Sequence, residues 1–168
     1  MILIALGANL PSRFGGPRET LEAALVRMGE LGIKVDQRSH WYRTSPVPVS
    51  NQPDFINGVA AVHTDLSPHE LLKQLHQIEA ELGRTRTQRW EARVLDLDLL
   101  AYHDELILEK LQKAGQSIQI PHPSLHERRF VLVPLVEIAP NWRHPGLGRT
   151  AEELLGDLKD SDQVEILT

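Results

Sequence analysis

Apolar residues run without a break from Met1 to Leu6 and stop at Gly7 and Asn9, which predicts a strand over 1–8. From Glu19 the spacing changes. Leu21, Leu25, Met28 and Leu31 recur every three to four residues, the period of a helix that Gly32 ends. Lys34–Thr44 is rich in Val, Thr, Trp and Tyr and predicts a second strand. The prolines of SPVPVSNQP, residues 45–53, block regular structure and stiffen a loop. Phe55–Thr64 predicts a third strand, with Val59, Ala61 and His63 opposite Ala60 and Val62. Ser67, Pro68 and Glu70 form a capping-box signal, and Leu71, Leu72, Leu75, Ile78 and Leu82 supply the apolar face of a helix ending at Gly83. Val94–Tyr102 predicts a fourth strand, and Glu105–Ile120 a short hairpin around Lys113–Ala114–Gly115. Leu125–Ile138 is apolar and helical in pattern, with Pro134 expected to kink or delimit it. Thr150 and Glu153 repeat the capping box and open a short helix through Leu158.

This order, βαββαβ and then additions, predicts an α+β, ferredoxin-like antiparallel sheet. Helices are expected on one face, with additional C-terminal helices and a short hairpin, leaving the other face open to ligands. Composition narrows the picture further. The 168 residues suit one domain, 1–168, at 41% hydrophobic and 24% charged. A net charge of −5 argues against a nucleic-acid partner. The absence of cysteine excludes disulfides, thiolate metal sites and cysteine nucleophiles. No stretch reads as a membrane span or leader, and the expected location is cytoplasmic.

One pattern resists a purely structural account. In WEARVLDLDLLAY, Asp96 and Asp98 interrupt an apolar run, and carboxylates are costly to bury. Strand alternation resolves the conflict. Leu95, Leu97 and Leu99 point to the core while the two aspartates share the opposite face, about 7 Å apart along the strand. Their mutual repulsion suits a divalent cation, since Mg²⁺ is held by one or two carboxylates with phosphates and waters completing its shell. A lone D-x-D is more often two surface acids; here its neighbour changes the weighing. Residues 84–93, RTRTQRWEAR, bring four arginines, which match phosphate oxygens with paired hydrogen bonds, and Trp90 offers a flat face. Acids for a metal beside arginines for phosphate are the equipment of phosphoryl transfer. The Walker and protein-kinase signatures are both absent, so this chemistry needs another scaffold.

Several runs together resemble the 6-hydroxymethyl-7,8-dihydropterin pyrophosphokinase family: ALGANL, YRTSPV, NQPDFIN, GRTRTQRWEARVLDLDLL, IPHPSLHERRF and VPLVEIAP. The resemblance spans nearly the whole chain and implies a ferredoxin-like enzyme of folate biosynthesis. Such an enzyme transfers the β,γ-pyrophosphate of ATP to the pterin hydroxymethyl group and releases AMP, using two Mg²⁺ ions. By resemblance, Asp96 and Asp98 hold both metals, and Arg84 and Arg93 are catalytic at the phosphates. Arg86, Arg89 and Trp90 would close over ATP, and His76, Leu99, His122 and Arg128 would contact the nucleotide. Phe55 and Phe130 match a pair that stacks on the pterin, Asn57 the amide that reads its polar edge, and Thr44, Ser45 and Val47 the lining of the slot. The family also implies a monomer acting on small molecules.

The chain departs from the family in places. It reads W-E-A-R where W-G-P-R is common, has Thr87 where lysine is frequent, is one residue shorter between Arg86 and Arg89, and carries His76 in place of glutamine. Judged singly, Phe55 and Phe130 suit a core, Asn57 suits a turn, and His122-x-x-x-His126 invites a zinc reading that lacks a third ligand. Two other function classes stand beside the leading one. A Mg²⁺-dependent phosphohydrolase shares the acids and arginines but needs no heterocycle slot. A ferredoxin-like RNA-binding or regulatory module needs exposed aromatics and a basic surface.

Overall fold

A computed structural model describes residues 1–46, 51–83, 94–110, 117–159 and 163–167. Its elements follow the expected order. They are β1 (Ile2–Ala8), α1 (Pro17–Glu30), β2 (Lys34–Arg38), β3 (Tyr42–Thr44), β4 (Phe55–His63), α2 (Pro68–Gly83) and β5 (Asp96–Tyr102). Next come β6 (Ile107–Lys110), β7 (Ser117–Ile120), a 3₁₀ turn (Leu125–Glu127), α3 (Arg129–Ile138), α4 (Ala151–Asp157) and β8 (Val164–Ile166). The main sheet runs β5-β1-β4-β3-β8, with β2 also paired to β4, and every pairing is antiparallel. This is the α+β, ferredoxin-like arrangement anticipated from the element order. Strands β6 and β7 form the separate hairpin, while its expected turn at Lys113–Gly115 lies outside the described residues.

The strand expected over Lys34–Thr44 is two strands. Between them Ser39 takes over the pairing with its side chain. Its hydroxyl accepts from Val59 N–H at 3.0 Å and donates to the His40 carbonyl at 2.7 Å, so the ladder is interrupted and β2 and β3 pair with different ends of β4. Both capping boxes are present. The Ser67 and Glu70 backbone N–H groups donate to each other's side chains, and Thr150 and Glu153 do the same. Pro134 neither ends nor splits α3; the helix runs through it.

Alternation along the strands sorts the core into two layers. Ile2, Ile4, Leu6, Ala60, Val62, Leu95, Leu97 and Leu99 pack against Leu21, Ala24 and Met28 of α1 and Leu71, Leu75 and Ile78 of α2. The other face is not wholly open, as the element order alone suggested. There Leu3, Val59 and Ala61 lie under Val131, Leu132 and Leu135 of α3, with Leu154 of α4 behind. Apolar side chains on both layers explain why: a sheet face carrying Val and Leu has to be covered. The C-terminal helices therefore confine the ligand-accessible area to one end of this face. Among the described residues, no helix is long and apolar enough to cross a membrane.

Gly58 shows how tightly the α1–α2 side is packed. A Cβ there would lie 2.6 Å from the ring of Trp41, whose indole N–H is anchored to Glu22 at 2.8 Å. Gly58→Ala is expected to destabilise the fold by about 1–3 kcal/mol, read as a lower urea midpoint with an unchanged slope.

Candidate active site

Register places the site. In antiparallel pairs, facing residues share a side of the sheet. Tyr42 faces Asn57, Asn57 faces Gly7, and Gly7 faces Asp96, so one row crosses β3, β4, β1 and β5 on the α3 side. Alongside it, Val59 faces Ala5 and Ala5 faces Asp98, and Thr44 faces Phe55. The alternation argument for the aspartates holds. Leu95, Leu97 and Leu99 are buried in the α1–α2 layer, while Asp96 and Asp98 are half-buried on the opposite side.

These rows floor a cavity of about 220 Å³. Asp96, Asp98, Thr44, Ser45, Phe55, Asn57, Arg128 and Phe130 all line it, with Ala5, Gly7 and Val131 filling the gaps. The small residues of β1 had no part in the sequence-based site, although ALGAN was their signal. Gly7 is needed there because a Cβ would come within 2.7 Å of Asn57 Oδ1. Asn57 is 8% exposed, and its amide nitrogen donates to Thr44 Oγ1 at 2.7 Å, which orients its oxygen over Gly7. Phe55 enters from the first residue of β4, and Phe130 from the first turn of α3. The Arg128 guanidinium carbon sits 5.6 Å from the Phe130 ring centroid, so a cation borders the aromatic wall.

His122 stands close by, within electrostatic reach of Asp98 and Arg128. Its backbone N–H donates to the Leu100 carbonyl at 2.9 Å, and its Nδ1 accepts from Ser124 N–H at 3.2 Å. The neutral ring therefore carries its proton on Nε2. Burial holds this imidazole below its usual range, Asp98 pulls it up, and Arg128 adds to the lowering. Leu99 is 4% exposed with its side chain in the core, so only its backbone is left to meet a ligand. His76 is on the exposed face of α2, away from the cavity lining. Val47 and the run holding Arg84, Arg86, Arg89, Trp90 and Arg93 lie outside the described residues. Glu79, which had no place in the sequence-based site, accepts the Leu97 N–H at 3.3 Å between the two aspartates.

The aspartates offer hard carboxylate oxygens on one wall of the cavity, the donor type that Mg²⁺ takes. Among the described residues, no group of three or more His, Cys, Asp or Glu is placed to hold a metal. A cation at the pair would draw its remaining ligands from phosphate and water, which fits a metal arriving with a nucleotide.

Comparison with known proteins matches residues 3–140 to the model of 7,8-dihydro-6-hydroxymethylpterin-pyrophosphokinase. The chain belongs to this family. It is 38% identical over 164 residues to the 2-amino-4-hydroxy-6-hydroxymethyldihydropteridine pyrophosphokinase of Haemophilus influenzae, covering 97% of this chain and 96% of that one. It is 40% identical over 156 residues to the Pseudomonas aeruginosa protein of the same name, covering 92% and 89%. The fold matches that of wild-type Plasmodium falciparum HPPK-DHPS with pteroate, at a TM-score of 0.77 and 15% identity. That match covers 96% of this chain and 47% of the other. Membership in the pterin pyrophosphokinase family makes the chain a diphosphokinase of folate biosynthesis. It displaces the phosphohydrolase and RNA-binding alternatives.

Proposed function

We propose that the cavity between Phe55 and Phe130 binds 6-hydroxymethyl-7,8-dihydropterin and that the β5 wall binds ATP with two Mg²⁺ ions. One observation carries this reading: an aromatic pair, a buried amide and two carboxylates line a single cavity. A flat heterocycle stacks between the phenyl rings. Asn57, its nitrogen committed to Thr44, turns its oxygen to the pterin's N–H edge, and Thr44, Ser45 and Val47 bound that edge. A buried polar group that only the right heterocycle can satisfy discriminates strongly against others. The pterin's exocyclic arm then runs past the small Ala5 toward Asp98, which faces it on β5.

At that end Asp96 and Asp98 would hold the Mg²⁺ ions, whose charge would offset that of the triphosphate and make a substrate hydroxyl brought to them more acidic. The hydroxyl oxygen forms a bond to the β-phosphorus as the bond from that phosphorus to the α,β-bridging oxygen breaks. The electron pair leaves with AMP, and the hydroxyl proton passes to solvent. Arg128 meets the phosphates with its guanidinium, and His122 presents a neutral Nε2–H donor to them without adding a second fixed charge. The Leu99 backbone and His76 are assigned to the nucleotide with Arg86, Arg89 and Trp90, and Arg84 and Arg93 to charge developing on the transferred group. Residues 1–168 act as one domain, monomeric and cytoplasmic, without nucleic acid.

Resolving nucleotides after incubation with ATP, Mg²⁺ and the hydroxymethyl pterin tests this. AMP is expected only when the pterin is present. ADP, or AMP formed without pterin, would overturn the assignment.

A further inference from the structure

Glu137 has no part in the chemistry above, yet three donors converge on it. The Tyr42 hydroxyl donates to its Oε1 at 2.5 Å. The His40 backbone N–H donates to both oxygens at 3.1 and 3.0 Å, and His40 Nδ1 lies 2.9 Å from Oε2. Burial pushes this carboxyl up, but the Tyr42 and His40 bonds more than reverse it and leave it below its usual range. The Tyr42 hydroxyl, buried and facing a carboxylate, is pushed well above the ordinary phenol range. These are charge-assisted bonds across the gap between the sheet and α3, and Tyr42 is only 8% exposed.

The positions of the two partners give the tie its meaning. Glu137 follows Phe130 by seven residues, about two helical turns, so both project from one side of α3. Tyr42 precedes Thr44 by two residues, so both project from one face of β3, and Tyr42 faces Asn57 in the register. The bond therefore joins the same helix side and the same sheet face that carry the walls of the slot, Phe130 on one and Thr44, Phe55 and Asn57 on the other. Val131, next to Phe130, packs in one apolar layer with Val59 and also lines the cavity, and the Glu137 tie adds a polar restraint to α3 at the β3 end of the slot.

We propose that Glu137 is a positioning residue that sets the spacing of the heterocycle slot by holding Tyr42 and His40 against α3, an inference that rests on the slot reading given above. Stacking energy falls steeply as an interplanar gap opens. A looser slot thus weakens pterin binding, while ATP, held mainly from β5 with Arg128 at the start of α3, is affected less.

Calorimetric titration with 6-hydroxymethyl-pterin and, separately, with an ATP analogue plus Mg²⁺ tests the role on the full chain. Glu137→Ala is expected to weaken pterin binding about tenfold and nucleotide binding less than about threefold. Glu137→Gln keeps an acceptor oxygen for the Tyr42 hydroxyl and is expected to restore pterin affinity to within about threefold of wild type. Tyr42→Phe preserves the buried ring and is expected to fall between them; if the alanine variant does not fold, this variant decides. Pterin affinity unchanged in Glu137→Ala or Tyr42→Phe would overturn the proposal. So would equal losses for both ligands, or a glutamine variant as weak as the alanine one. A wild-type chain that takes up no pterin would remove the slot reading itself, an outcome distinct from a wild type and variants that bind alike.

Discussion

Asp98→Ala is expected to lower the rate of pterin-dependent AMP formation by about 10³-fold or more, with little change in the melting curve. The argument rests on where the side chain points. Asp98 lines the cavity opposite Ala5 and has no share in the apolar layer that its neighbours Leu97 and Leu99 build. Removing it deletes half of the anionic charge available to a divalent cation and none of the packing. Raising the Mg²⁺ concentration should recover part of the loss, because the defect is in metal affinity. A variant with near-normal turnover at low Mg²⁺ would remove the metal from this strand.

Gly7→Ala is expected to reduce kcat/KM for the pterin about 100-fold while the KM for ATP changes little. The added methyl would come within 2.7 Å of Asn57 Oδ1, closer than such contacts occur, and the Asn57 nitrogen is already bound to Thr44. The amide has to swing away from the edge proposed for it, and the buried polar group is left misdirected. The substitution keeps a strand conformation, so the chain should still fold, and circular dichroism would verify that. Equal losses for both substrates would mean that β1 serves the sheet and not the heterocycle.

Much of this arrangement could be read from residue spacing. Period-two alternation alone separated Leu95, Leu97 and Leu99 from Asp96 and Asp98, and the structure keeps them on opposite sides. Local signals also held where the interaction is local, as at Ser67–Glu70 and Thr150–Glu153. What spacing could not show depends on distant parts of the chain. The division of Lys34–Thr44 comes from Ser39 bonding to Val59, twenty positions on. β8 is a strand because β3 offers it an edge, not because VEI is a strong strand sequence. Glu137 lies 95 residues from Tyr42, and in VPLVEIAP it reads as one charge on an apolar helix. Asn57 and Phe130 needed the family resemblance to stand out, since an amide in a strand and a phenylalanine in a helix are each unremarkable singly.

The heterocycle strand and the carboxylate strand are separated by β1 alone. Adjacent strands stand about 4.8 Å apart, so roughly 10 Å lies between the Asn57 and Asp96 backbones. That span is set by two ladders of main-chain hydrogen bonds, and no side chain can lengthen or shorten it. With the substrates placed as proposed, the sheet would act as a ruler between them. A synthetic ligand joining a pterin to a nucleotide would then have to match that one crossing.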